Sequence, residues 1–334
     1  MQLNPFVLEK AGPVLMKQTF AMGITASVGT GTEALALKYP SRPITLNVGF
    51  APGGPNDILG RLVAKALSAR LGQPVSVENL PGESGNIATE AAVKSAPDGH
   101  TLLLLGPANV INISIHKELS YDFQKDIIPV AGITREPLVM VVHPSVPART
   151  VPEFIAYAKT KPADLRVAST GNGSSPHVTM VLFNSMTGLD LPIEHFQGGG
   201  PALKNIISGS TKMMFEPMSA SIDLVRSGKL RALAVTTAGP SASLPGIPAV
   251  AETIAGFEAS AVTGIGTPAG TPKEIVDKLN AEINAALSDP AVLAELAATG
   301  GEHIGGSPED FANVLEGEIA KWSAVVKAAG VTAD

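Results

Sequence analysis

Residues 44–67 read ITLNVGFAPGGPNDILGRLVAKAL. Ile44 to Val48 are of strand-forming type, and the chain then enters a Gly/Pro loop from Ala51 to Asp57. Beyond it Ile58, Leu59, Leu62, Val63, Ala66 and Leu67 recur at the spacing of one helix face. Gly72 and Pro74 stop that helix, and Val75-Ser76-Val77 resumes an extended chain. Strand, tight loop, helix and strand again is the unit of a parallel sheet with right-handed crossovers.

The unit recurs outward from this stretch. A helix is expected over Asn86–Ser95, a turn at Pro97-Asp98-Gly99, and a strand over Leu102–Leu105, an all-apolar run that suits burial on both faces of a parallel sheet. Thr150-Val151-Pro152-Glu153 is a capping box that opens another helix. Leu165–Ala168 reads as a strand, Gly171–Ser175 as a loop and His177–Met186 as a helix. Phe196–Gly200 is a loop that opens a helix at Pro201, and Met213–Phe215 and Leu233–Val235 are strands. Thr271–Glu274 and Ser307–Asp310 head two long C-terminal helices, the second carrying the single Trp322, expected to pack in the core or between lobes. Two longer extended runs, Val130–Val142 and Ala259–Gly266, break the alternation. They are expected to cross between two lobes, lobe 1 from 37–136 plus 262–334 and lobe 2 from 137–261.

Composition narrows the class. Of 334 residues, 45% are hydrophobic and only 16% charged, so a large core is available and bulk disorder is excluded. The 34 glycines and 27 prolines point to many tight loops. A net charge of −6 with no basic block argues against nucleic acid or an anionic membrane as partner. With zero cysteines, disulfides, thiolate metal sites and cysteine nucleophiles are excluded. Met16-Lys17, the mildly apolar Phe20–Val28 and the small-residue pattern Ala34-Leu35-Ala36 have the order of a secretory leader. Residues 1–36 are therefore expected to be removed on export.

Three loops carry the chemistry. They are Phe50-Ala51-Pro52-Gly53-Gly54-Pro55-Asn56-Asp57, Ser169-Thr170-Gly171-Asn172-Gly173-Ser174-Ser175-Pro176-His177, and Gln197-Gly198-Gly199-Gly200-Pro201. Each precedes a helix, glycine lets backbone N–H groups approach a ligand, and none contains Lys or Arg. A carboxylate can be held by N–H and hydroxyl donors alone, whereas a polyphosphate usually recruits a cation. Asp57 is read as the N-cap of the first helix or as a pocket residue, and Ser174 and Ser175 as hydroxyl donors or helix caps. Asn109 and Glu216, each after a strand, join as candidates for the same cleft. Enzyme motifs are missing: G-x-S-x-G, the P-loop, G-x-G-x-x-G and H-E-x-x-H are all absent, and the six histidines are scattered. No metal and no cofactor are expected.

The motifs F-A-P-G-G-P-N-D, P-G-E-S-G-N-I-A-T, P-D-G-H-T-L-L-L, G-N-G-S-S-P-H and F-Q-G-G-G-P-A-L follow in this order across Tyr39–Gly330. Together they resemble the tripartite tricarboxylate transporter solute-binding receptors, the Bug family. The resemblance implies an α/β, two-lobed periplasmic-binding-protein type II fold with parallel-rich sheets and two crossing strands. It implies a periplasmic, non-catalytic receptor that closes on a small organic carboxylate and delivers it to a membrane permease. It assigns the carboxylate to Ala51–Asp57 and Thr170–His177. Di- and tricarboxylates, amino acids and aromatic acids are all ligands within such a family, and a monomer is expected. Glu83, where small residues are frequent in the family, and Glu216 would repel a second carboxylate or attract a cation if they face the cleft. The rival readings are an enzyme acting through Ser174 or Ser175, and a ligand-presenting module for a sensor kinase.

Overall fold

The computed structural model describes residues 39–333 apart from 117, 162, 163 and 299, so the leader expected over residues 1–36 lies outside the described residues. Among the described residues ten strands occupy one curled sheet: β1 Ile44–Val48, β2 Val75–Asn79, β3 Thr101–Leu105, β4 Ile127–Val142, β5 Val167–Ser169, β6 Ile193–His195, β7 Met213–Pro217, β8 Arg231–Val235, β9 Ser260–Pro268 and β10 Glu302–Gly305. The helices are α1 Pro55–Leu71, α2 Asn86–Val93, α3 Pro107–Ile115, α4 Phe123–Asp126, α5 Val151–Thr160, α6 Ser175–Thr187, α7 Gly199–Ile207, α8 Met218–Arg226, α9 Lys273–Leu287, α10 Pro290–Ala298 and α11 Pro308–Ala329.

The sheet order is β2-β1-β3-β9-β4-β7-β5-β6, with β10 and β8 added onto β4. The outer strands pair in parallel, β1 with β2 and β3, and β5 with β6 and β7. The central pairings, β3–β9, β4–β9, β4–β7 and β4–β8, are antiparallel. The fold is mixed α/β with the parallel units at its two ends. β3 differs from expectation in one respect: it is parallel to β1 but antiparallel to β9, and it is buried on both faces all the same.

β4 decides where everything else lies. Its residues 127–137 pair with β9 from Ile127↔Pro268 to Pro137↔Ser260, and Leu138–Val142 lie between β7 and β8. One strand of 16 residues thus belongs to both halves of the sheet. Its far half alternates: Leu138, Met140 and Val142 enter one core, while Val139 and Val141 enter another with Met214, α7 and α8. The return of the chain is fastened at Thr236, whose Oγ1 accepts from the Leu138 N–H (2.8 Å) and whose carbonyl accepts from the Ala259 N–H (3.0 Å).

α3 was not evident from the sequence, because its residues Val110, Ile111, Asn112 and Ile115 are all buried and leave no polar face to set a period. It packs beneath α11, a 22-residue helix opened by a capping box between Ser307 and Asp310. α11 also reaches β4 and α6, so a single helix spans both halves of the sheet. Phe311, Leu315 and Trp322 on it enter a core that runs continuously from Leu103 and Ile111 to Phe154, Phe183, Phe215 and Phe257. Trp322 is 1% exposed and donates its indole N–H to Glu318 Oε2 (2.9 Å). Removing the ring empties the seam between the halves. Trp322→Ala is therefore expected to cost about 3–5 kcal/mol, read as a lower urea midpoint. Trp322→Phe, which keeps most of the apolar bulk and leaves Glu318 still paired with Lys321, should cost less.

Candidate functional site

The first loop is built around an acid. α1 begins at Pro55 after the N-cap Gly54, which has no side chain with which to cap it. Asp57 is thus inside the first turn and is not the N-cap. It reaches back instead: Oδ2 accepts from the Gly53 N–H (2.8 Å) and Arg61 Nε (3.0 Å), and Oδ1 from Asn79 Nδ2 (2.9 Å) and Arg61 Nη2 (2.9 Å). The Arg61 guanidinium, with the Gly53 and Asn79 donors, holds its carboxyl down at about 2 against the opposing effect of burial. The Gly53 and Asn79 contacts tie the loop to β2, and the Arg61 contacts neutralise the cation on the same helix. Phe50, Ala51, Pro52, Gly53 and Pro55 are exposed around it, with Gly54 and Asn56 half-buried.

A neighbouring turn leans on this loop. A methyl group on Gly49 would stand 2.7 Å from the Gly85 Cα, so the end of β1 and the start of α2 are in backbone contact. Gly82, Glu83, Ser84 and Gly85 all have positive φ (136°, 46°, 53° and 91°), a strained run for the two residues that carry a Cβ. Asn112 Nδ2 holds the Ser84 carbonyl (3.1 Å), and Ser84 Oγ donates across to the Asn172 carbonyl (3.4 Å). Glu83 is exposed on this turn. Asn109 is buried and spent locally: its Oδ1 accepts from the Gly106 N–H (2.8 Å) at the head of α3, and its Nδ2 donates to Thr89 Oγ1 (2.8 Å).

The second loop faces that turn from the other half of the sheet. Ser174 is the N-cap of α6: Oγ accepts from the His177 N–H (3.3 Å) and donates to the Gly171 carbonyl (2.7 Å). The His177 ring is buried, accepts the Gly173 N–H at Nδ1 (3.0 Å), and meets the His195 ring edge-on at 4.6 Å. His195 Nδ1 in turn lies 3.2 Å from Ser169 Oγ. Gly173 is closely confined: φ is +71°, and a methyl group there would meet Ile115 Cδ1 at 2.4 Å. Asn172 Nδ2 donates to the Thr332 carbonyl (2.9 Å) of the chain beyond α11. Thr170, Gly171, Asn172, Ser174 and Ser175 are half-buried.

The third loop closes the arrangement. The Gly198 N–H donates to the Thr170 carbonyl (3.2 Å), and α7 starts at Gly199, two residues before the expected Pro201. Gln197 is exposed and Gly198 half-buried. Glu216 lies within β7, where the sequence reading had the strand already ended. It is 2% exposed, and its Oε1 is 3.3 Å from the point where a Cβ on Gly199 would stand. Burial, with Glu136 adding to it, pushes the Glu216 carboxyl well above the ordinary carboxylate range.

The candidate residues therefore form one chain of contacts, from β1 and α1 through the Gly82–Gly85 turn to loops two and three and on to Glu216. The N-caps of α1, α2 and α7 are Gly54, Gly85 and Gly198, each without a side-chain cap. The first-turn N–H groups of a helix have no partner within it, and its N-terminus carries about half a positive charge. The arrangement can hold an anion without a cationic side chain.

A family model described as the tripartite tricarboxylate transporter family receptor matches residues 59–331. BugT of Bordetella pertussis is 34% identical over 91% of this chain and 94% of its own length. A solved structure of R. palustris Rpa4515 with adipate superposes with a TM-score of 0.83 at 35% identity, covering 88% of this chain and 99% of that one. MatC from Rhodopseudomonas palustris with bound malate gives 0.79 at 31% identity, covering 86% and 100%. The periplasmic binding protein BugD gives 0.80 at 28% identity, covering 88% and 99%.

The anchoring of Asp57 has a pH signature. A carboxyl depressed on folding stabilises the protein fully above its unfolded value of about 3.9 and loses that contribution as the pH falls through the folded value. Asp57→Asn should lower the melting temperature at pH 7. The gap between the two proteins should narrow progressively below about pH 4, as followed by melting curves across the acid range.

Proposed function

The chain belongs to the tripartite tricarboxylate transporter receptor family, and from that premise we propose that it captures a small organic carboxylate and delivers it to a membrane permease. The observation that carries this reading is the pairing of loops across the sheet. Ser84 Oγ meets the Asn172 carbonyl, and Gly173 abuts Ile115, so donor-rich loops of the two halves stand face to face. In this proposal lobe 1 comprises 37–136 plus 262–334 and lobe 2 comprises 137–261, with the cleft between them. The ligand carboxylate meets the N–H groups around Phe50–Asn56 and Thr170–Ser175, with the hydroxyls of Thr170 and Ser175 and the rim residues Gln197 and Gly198, while Ser174 caps α6. Asp57, Asn109 and His177 hold those loops in shape. Closure is a hinge motion on the crossing strands.

Adipate and malate on relatives of comparable identity support a dicarboxylate. Family members are periplasmic binding proteins, and no helix of the described residues is long and apolar enough to cross a membrane. The protein is proposed to act in the periplasm as a monomer, after loss of its leader, and without chemistry on its ligand. The Ser174 hydroxyl, already given to the Gly171 carbonyl and serving as a cap, supports binding over nucleophilic attack.

Calorimetry with adipate, malate, citrate, glutamate and benzoate tests the reading. One class should bind one molecule per chain, with the ligand recovered unchanged. A ligand at 100 times its Kd adds about 2.7 kcal/mol to stability. Turnover of a bound compound would defeat the proposal, as would silence from protein freed of carried ligand by unfolding and dialysis. Ser174→Ala should cost about 1 kcal/mol of stability, and Ser175→Ala should weaken the bound carboxylate by roughly tenfold, a loss of about 1.4 kcal/mol in binding.

A further inference from the structure

Asn172 turns its side chain away from the second loop and gives it to the chain beyond α11. Its Nδ2 donates to the Thr332 carbonyl (2.9 Å). The N–H of the same peptide group, that of Ala333, donates to the Ile115 carbonyl (2.8 Å). One peptide unit is thus bonded on one side to the loop after β5 and on the other to the last turn of α3, the helix after β3. β3 and β5 belong to the two parallel units at opposite ends of the sheet.

The contacts converge on one junction. Ile115, which accepts from Ala333, is also the residue that Gly173 abuts. The Asn172 carbonyl takes the Ser84 hydroxyl, and Asn112 of α3 holds the Ser84 carbonyl. Asn112 Oδ1 is buried without a hydrogen-bond partner among the described residues and stands 3.7 Å from the point where a Cβ on Gly173 would be. A permanent core rarely leaves such an atom open, whereas a seam that parts exposes it to water.

The chain is delivered there by the end of α11. Gly330 takes the left-handed conformation (φ 65°), and the Val331 N–H returns to the Val326 carbonyl (3.1 Å), so the backbone leaves the helix toward α3. Val331 and Ala333 are half-buried against the core, and Thr332 is exposed. Beside them lies a cavity bounded by Ser114 of α3 and by Ser323 and Lys327 of α11. Residues 331–333 are a strap held by a few hydrogen bonds and two small apolar contacts, and such a segment detaches locally at little cost.

We propose that this strap is a latch on the closed form of the receptor. The peptide unit between Thr332 and Ala333 draws the second loop against α3, and Asn172 is a positioning residue that acts on the ligand through its loop without touching it. The proposal rests on the receptor reading above. α11 packs on both α3 and α6, so the loop at the head of α6 moves past the end of α11 when the proposed lobes part. Parting breaks the Asn172–Thr332 and Ser84–Asn172 bonds together. A contact made only in the closed form raises the closed population, and a ligand that needs that form gains affinity by the same factor. The latch lengthens ligand residence while adding no ligand contact.

The chain has no cysteine, so spin labels at Lys65→Cys and Lys204→Cys, exposed on α1 and α7, report the distance between the lobes without interference. Two variants cut the latch from opposite ends. Ala333→Pro removes the N–H, and Asn172→Leu removes the donor at similar bulk. Each should shift the ligand-free distance distribution toward longer separations. Each should also weaken adipate binding by about fivefold, the worth of one hydrogen bond, through faster dissociation. The double variant should be no weaker than the weaker single one, because both cut the same link. If Asn172→Leu fails to fold, Ala333→Pro, in the strap itself, carries the test. Unaltered distances overturn the latch, as does a double effect equal to the product of the single ones. A lower melting temperature with undiminished adipate affinity also overturns it, and leaves the strap a staple for α11. Wild-type protein that binds neither adipate nor malate defeats the receptor reading for dicarboxylates, while the ligand-free distances still decide the latch.

Discussion

Every feature of the site hangs on the hydrogen bonding of β4. Its residues 127–137 belong to β9 and the first parallel unit, and its last five belong to β7 and β8. A strand cannot slip by one residue without turning each side chain to the opposite face. The alternation of Leu138, Met140 and Val142 against Val139 and Val141 therefore locks the register of one half against the other. The same register sets Glu216 opposite Val139 and brings Glu136 beneath α8. Loops far apart in sequence meet because the strand they flank is continuous.

Charge management is the second organising constraint. In the proposed cleft, where backbone N–H groups bind the anion, side-chain charges must be kept from competing. Asp57 and Arg61 cancel as an i,i+4 pair at the base of the first loop. Arg135, Lys321, Glu258 and Glu318 cancel along α11 and the crossing strand. What is left at the loops is the weak, fixed polarity of helix N-termini, which costs no side-chain ordering when a ligand arrives.

The helices that were legible in the sequence share a property: each had one dry face and one wet face, or a side-chain cap. α1, α5, α6, α9 and α11 announced themselves by period or by Thr150, Ser174 and Ser307. α3 is wet on no face, and α8 and β10 are short elements added onto β4 by tertiary contact, so neither period nor cap marked them. Asp57 reads from the sequence as a cap or as a pocket residue, the cap because an acid before an apolar stripe usually is one. The structure moves it inside the helix because Pro55, lacking an N–H, starts the first turn at no cost.

The two acids of the site show why a residue type at a strand–helix junction does not fix its role. Asp57 and Glu216 both end a strand or begin a helix, both are nearly inaccessible to water, and both stand close to helix N-termini. They part on what lies within reach of their oxygens. Asp57 gathers a guanidinium, an amide and a backbone N–H, so its charge is fully used. Glu216 gathers a second acid and a glycine, so its charge has nothing to meet. The first arrangement depends on Arg61 four residues on, which the sequence displays. The second depends on Glu136, eighty positions away on the crossing strand, which only the pairing of β4 with β7 brings into range.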